Sequence, residues 1–411
     1  MPHHATYQII CFEPAGLGRI EALQNVIRQR FTDLDFDVET AVTFLAHSQV
    51  EQCDLRCPTV GVYFGSATTA DDATRGRIKD LLDSAVTVVP VVDDLAKYQS
   101  LVPTELYPIN GLQFDAAAPN YETIAARLLE ELHLLRETRR LFISYRRSES
   151  RDVAIQLYEA LDGKGFDVFL DTVSIRPGED FQKMLHYRLA DVDVIVLLHT
   201  MGFMERRWTV EELTNANRLN IAILRLEWPE IAAWRKDAEA RNDQPELAKI
   251  RQLDEQASLS EPFILTDGQF SATKTLLPTV CAMVAEQTEG LRARALAARL
   301  TSLTKEFAQQ ARDVGFEVLP QPEHYLLLQK PEQVDRIAVP VVGAPSALIY
   351  EALYKRIKAL PDTPSTPAYI VYDHRALLDR HLEHLAWLDG EMQSVHSIRV
   401  ADARQVLGGL R

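Results

Sequence analysis

At 411 residues the chain is long for one core and sets an expectation of two or three domains. Apolar residues make up 46% and charged residues 25%, with 17 glycines and 20 prolines, which excludes the disordered, collagenous and coiled-coil classes. Lys and Arg number 44 against 59 Asp and Glu, and the net charge of −15 has the wrong sign for coating nucleic acid or anionic lipid. No direct nucleic-acid binding is expected.

The longest apolar runs, 85–92 and 192–198, fall far short of the roughly 18 residues that span a bilayer, so no membrane association is expected. Residues 1–12 hold no Lys or Arg for the charged start of a secretory signal. Four cysteines are too few for a disulfide framework. Cys11 and Cys281 read as small core residues, and Cys53 and Cys57 lack the second Cys/His pair that zinc requires. These features together predict a reducing, cytoplasmic setting.

Residues 7–12 are expected to form a buried strand, followed by a helix with Ile20, Leu23, Val26, Ile27 and Phe31 on one face. Further strands are expected at 36–38, 60–64, 86–92 and 112–114, and a helix at 121–135. Strands alternating with helices predict an α/β fold with a flavodoxin-like, doubly wound parallel sheet. The order restarts at Arg140, with strands expected at 141–144, 168–171, 194–199, 221–226 and 263–265. The stretches from Cys11 to Tyr63 and from Ile143 to Val196 are nearly equal in length, and each covers three strands and two helices. An internal duplication follows, with two unrelated flavodoxin-like domains as the alternative.

Leu296, Leu300, Leu303 and Phe307 share one face of a helix over 290–312. Beyond it, strands at 325–328, 337–342, 369–372 and 398–400 and helices at 346–360 and 375–389 predict a small α/β domain, with the Pro-rich stretch 361–367 as an internal connection. The expected organisation is thus 1–137, 138–288, a connecting helix 289–315, and 316–411.

The second domain holds the residues with chemical content. Its first strand ends in Ser144, Tyr145, Arg146 and Arg147, at the carboxyl edge where ligands of open α/β sheets bind. Two guanidinium groups beside a helix start suit a diphosphate; a solvated helix start is the plain structural alternative. The loop from Asp171 to Phe181 includes Arg176, Pro177 and Gly178; its Pro-Gly pair forces a turn, and Asp180 can cap the helix that follows. Trp208 and Glu212 stand one helical turn apart on one face, with Glu211 about 100° round the helix. An indole gives a flat wall to a heteroaromatic ring, and a carboxylate beside it stabilises developing positive charge.

The first domain lacks these groups, having Glu13 to Gly16 where Ser144 to Arg147 stand in the second. Its Gly16-Leu17-Gly18 lacks the third glycine of a phosphate-binding fingerprint. His381 and His384 share a helix face with Arg380 and Glu383 close by, which reads as a solvated surface, and Asp373 reads as an N-cap. No metal site is expected.

Together the three segments of the second domain resemble the Toll/interleukin-1 receptor (TIR) domain family over residues 138–288. Residues 142–147 resemble its first box, 171–181 its BB loop, and 208–213 the helix bearing the catalytic glutamate of NAD-cleaving bacterial members. The resemblance implies NAD+ as substrate with no separate cofactor, Glu212 as the catalytic group, and Ser144, Tyr145, Arg146, Arg147, Asp171, Arg176, Gly178 and Trp208 as substrate contacts. It implies an NAD+ glycohydrolase; a synthase of cyclic ADP-ribose and a non-enzymatic TIR–TIR scaffold are the alternatives. In related TIR enzymes a neighbouring protomer completes the pocket through the BB loop, so self-association is implied, with a sensor or activator as a further partner and an immune, antiphage role. By the same comparison the first domain is a non-catalytic relative.

Overall fold

The computed structural model describes residues 7–13, 18–34, 36–55, 57–67, 70–117, 119–136, 138–170, 191–202, 221–245, 248, 262–321, 325–359, 367–375, 377 and 379–409. They divide into two compact units, Met1–Glu137 with Phe316–Val339, and Thr138–Gly315 with Pro340–Arg411.

In the first unit five strands, Tyr7–Phe12 (β1), Val42–Ala46 (β2), Thr59–Phe64 (β3), Val88–Val92 (β4) and Leu112–Gln113 (β5), form a parallel sheet in the order β2-β1-β3-β4-β5. The central strands β1 and β3 are buried along almost their whole length, as strands covered on both faces must be. The helices between them are Arg19–Asp33 (α1), Asp72–Asp83 (α2) and Tyr121–Glu131 (α3). Asp71 and Asn120 start the last two by accepting the amides of Thr74 and Glu122. The second strand lies at 42–46 and not at the expected 36–38. Asp37 accepts the Glu39 amide and starts a helical turn, Val38–Ala41, that delays it.

The second unit repeats this plan. Arg140–Ser144 (β6), Asp167–Leu170 (β7), Val194–His199 (β8), Ala222–Glu227 (β9) and Phe263–Ile264 (β10) pair in parallel in the order β10-β9-β8-β6-β7. Taken from the other edge, this is again second, first, third, fourth, fifth, the flavodoxin-like order. The helices described here are Arg147–Asp162 (α4), Pro229–Arg241 (α5) and Pro278–Asp313 (α6). The core packs Leu141, Val194 and Leu224 of the sheet with Leu157 of α4 and Val284 and Leu291 of α6. The helix expected over 290–312 is therefore the later part of a longer one that starts at Pro278 and contributes to this core.

Within α6, Arg292 is fully buried. Its Nε lies 3.0 Å from Asp193 Oδ2, its Nη1 3.2 Å from Glu289 Oε1, and its Nη2 donates to the Thr138 carbonyl at 3.3 Å. Arg139 Nη1 pairs with the other Glu289 oxygen at 3.1 Å, and the Arg140 amide donates to Asp193. This network closes the amino ends of β6 and β8, the edge opposite to that of Ser144. Toward its far end α6 holds the last helix, Ala403–Gly408 (α9), through Asp313–Arg404 and Gln310–Arg404 contacts.

The C-terminal strands are mixed in direction. Glu317–Gln321 (β11), Tyr325–Gln329 (β12) and Arg336–Val341 (β13) run antiparallel, Ala368–Tyr372 (β14) and Val395–Arg399 (β15) parallel, in the order β11-β12-β13-β14-β15. Helices Ala347–Ala359 (α7) and Asp379–Glu391 (α8) accompany them. Among the described residues no helix is long and apolar enough to cross a membrane.

Candidate functional site

In a doubly wound sheet the crossovers leave the first strand in opposite directions, and a crevice opens at the carboxyl ends between first and third strands. In the second unit that point lies between β6 and β8. Ser144 ends β6 and is buried, and Tyr145 is buried in the apolar core with Leu141 and Val153. Arg146 is the half-buried N-cap of α4, and Arg147 is exposed on its first turn. Ser150, buried, leaves helical dihedrals (φ −138°, ψ 22°), which kinks the first turn away from the rest of α4.

That first turn reaches across to the loop leaving β8. Glu149 Oε1 lies 2.9 Å from Arg146 Nη1, and its Oε2 accepts the Gly202 amide at 3.1 Å. A Cβ at position 202 would meet the ends of the Arg146 and Glu149 side chains, which would have to shift to admit it. Nearby in the chain, Thr200 is buried, and its hydroxyl has no hydrogen-bond partner among the described residues.

One strand further along the same edge, His199 and Glu227 sit opposite each other on β8 and β9, each 1% exposed. Glu227 Oε1 lies 3.4 Å from His199 Nδ1, 2.9 Å from Arg225 Nε and 2.7 Å from Arg235 Nη2. Burial pushes the His199 imidazole below its usual range, against the pull of Glu227. Burial also pushes the Glu227 carboxyl up, but the His199 bond and the two guanidinium charges outweigh it and leave the carboxyl below the usual range. The cluster cements β8, β9 and α5 behind the crevice.

A family model described as TIR domain matches residues 141–256. The chain contains a TIR domain. Over 98 residues, 23% of the chain, it is 28% identical to a protein named 2′ cyclic ADP-D-ribose synthase BtTIR from Bacteroides thetaiotaomicron, and the match spans 34% of that protein's length. A solved structure of the TIR domains of the activated Roq1 resistosome directly recognizing the pathogen effector XopQ is similar at 17% identity. It covers 36% of this chain and 98% of that one, with a TM-score of 0.27.

Of the residues expected at the TIR site, Ser144, Arg146 and Arg147 stand at the β6 end of the crevice, whereas Tyr145 is buried in the apolar core beneath it. Asp171, Arg176, Gly178, Trp208 and Glu212 lie outside the described residues. Glu149, Thr200 and Gly202 were not singled out in the sequence; a glycine directly past a strand end is the one signal that pointed to them. Among the described residues no group of three or more His, Cys, Asp or Glu side chains is placed to hold a metal ion.

The corresponding edge of the first unit is filled by its own chain. Glu13 accepts the amides of Gly18 at 3.2 Å and Arg19 at 3.0 Å, so a carboxylate already satisfies the start of α1. Arg19 is turned inward, with its guanidinium over Phe64 and Phe114 and 3.2 Å from Asp93. In the TIR domain no side chain of the N-cap residue takes that role at α4.

Proposed function

We propose that the TIR domain cleaves the bond between nicotinamide and ribose in NAD+, with Glu212 as the catalytic carboxylate. The observation that carries this reading is that Ser144 ends β6 and Arg147 opens α4 at the β6–β8 switch point. The likeness to a protein named as a cyclic ADP-ribose synthase supports it. Arg147, exposed on the first turn of α4, contacts the diphosphate, while Ser144, Asp171, Arg176, Gly178 and Trp208 complete the surface toward the dinucleotide.

Nicotinamide leaves a pyridinium as a neutral base, taking the electron pair of the C–N bond, so no general acid is needed. The ribosyl cation that remains is stabilised by ionised Glu212 until water attacks and releases a proton, giving ADP-ribose. The name of the matched relative favours a second outcome, in which a hydroxyl of the same molecule attacks and gives a cyclic product. The test is to incubate the purified chain with NAD+ and resolve the products chromatographically. Glu212→Gln is expected to abolish turnover with an unchanged melting temperature, and Glu211→Gln to retain most of it. Full activity in the Glu212 variant would remove the mechanism, and an inert but self-associating chain would favour a scaffold.

Self-association belongs to this proposal. A cleft on one open sheet edge leaves the ribosyl cation exposed to water, and a neighbouring copy's loop at 174–181 would close it. Specific activity is therefore expected to rise with protein concentration until assembly saturates. A constant specific activity together with a monomeric mass by light scattering would overturn it.

A further inference from the structure

Apolar side chains scattered singly over a surface are ordinary, whereas their gathering on one face marks a contact. Leu348, 74% exposed, and Trp387, 59% exposed, are the two most exposed large apolar side chains among the described residues, and they stand on α7 and α8. Tyr350 in the first turn of α7 donates to Asp389 in the last turn of α8 at 2.8 Å, which sets the start of one helix beside the end of the other. Tyr350 is buried, and Leu348 precedes it by two positions, as Trp387 precedes Asp389. Two positions turn a side chain by about 200°, so both project from the outer side of the same helix pair. The His384 ring stacks on the indole, with centroids 5.9 Å apart and 18° between the planes, and holds Trp387 in one orientation while it stays in solvent.

The charges beside these two anchors differ in sign. On α7, Lys355, Arg356 and Lys358 outnumber Glu351. On α8, Asp379, Glu383 and Glu391 outnumber Arg380. We propose that this face docks on the same face of a second copy of the chain about a two-fold axis, with α7 of each copy antiparallel to α8 of the other. A face that carries a basic helix beside an acidic one is complementary to itself under a two-fold rotation, and such a contact closes at a dimer. In this register Trp387 lies over the small, exposed Ala352 of the other copy, near its Leu348. One turn further, three residues on in α7 and four back in α8, Lys355 stands beside Glu383. Lys355 also pairs with Glu351 of its own helix at 2.6 Å, a surface pair that holds it only weakly. Two helices of 13 residues offer a face about 20 Å long and about 20 Å wide, roughly half of the 800 Å² per partner that stable complexes bury. The pairing is therefore reversible, with a Kd on the order of micromolar. It does not rest on the NAD+-cleaving reading and uses a face separate from the loop at 174–181.

The test follows the mass of the purified full chain by sedimentation across micromolar concentrations. It compares wild type with Trp387→Ala, Lys355→Glu, Glu383→Lys and the Lys355→Glu/Glu383→Lys double variant. A TIR contact through 174–181 would also raise the mass, so the variants and not the wild type alone decide. Trp387→Ala is expected to weaken dimerisation by roughly thirtyfold, as loss of a central aromatic anchor does. Each single reversal sets like charges against one another and weakens it, and the double variant restores it, because the exchanged charges meet again at both symmetric positions. Raised salt should weaken the wild-type dimer. Lys355, Glu383 and Trp387 all lie in solvent, so a nearly unchanged melting temperature in every variant separates a lost contact from a lost fold. A chain that is monomeric throughout overturns the proposal, including one that uses the face only when a different protein is added. An assembly indifferent to Trp387→Ala, or single reversals that the double variant does not rescue, overturns it equally.

Discussion

His199 and Glu227 face each other across β8 and β9 without access to water. Because burial holds the imidazole below its usual range, the folded TIR domain resists a proton that the unfolded chain takes up below about pH 6.5. The contribution of His199 to stability is thus fully present above about pH 6.5 and is lost as pH falls from there toward its depressed folded value. The Glu227 carboxyl, also held low, loses its contribution only as pH falls below about 4.3, so the two windows separate. The melting temperature of the wild-type chain should fall more steeply between pH 7 and pH 5 than that of His199→Gln. Parallel slopes would show that His199 carries no such linkage. Neither this pair nor the Glu149–Gly202 bond was legible in the sequence, since each needs the β6–β8–β9 register to bring distant residues together. Ser144 to Arg147 could be read because a single strand end carries all four.

At the scale of elements, α6 illustrates how an amphipathic pattern misleads. Residues 290–312 read as a connecting helix with one apolar face of Leu296, Leu300, Leu303 and Phe307, yet Arg292, off that face, is fully buried because Asp193, Glu289 and the Thr138 carbonyl all meet it. Removing one member of such a group leaves a buried charge unpaired, which costs about 3–5 kcal/mol. Arg292→Met should therefore lower the unfolding free energy, measured by denaturant titration, by an amount of that order, and combining it with Asp193→Asn should recover part of the loss. An Arg292→Met chain as stable as wild type would show that the network is not stabilising. Two further elements escaped the sequence for local reasons. The Asp37 cap displaced β2. Strand β11 is not among the expected strands; it holds Pro320, which an edge position tolerates because it need not donate to the ladder.

At the scale of the molecule, what the two parallel sheets share is strand order, not loop length. Tyr7 pairs with Val42 while Arg140 pairs with Asp167, so the first crossover is longer in the N-terminal sheet, and the near-equal spans read from the sequence arise from compensating lengths. Strand–helix alternation made the order legible. What fills each switch point was legible only in part: the missing arginines showed, whereas Glu13 folding back on the start of α1 did not.

The placement of Arg292 also bears on how such a domain is passed between proteins. The span by which the family is recognised ends at 256, while the guanidinium that neutralises the floor of its sheet stands on a helix beginning at Pro278. A graft cut at the recognised boundary would carry Asp193 into its new host without the guanidinium that meets it beneath β8. The portable module must therefore extend through Arg292, and any rearrangement that moves the TIR chemistry elsewhere must take with it the base of the helix that leads toward α9.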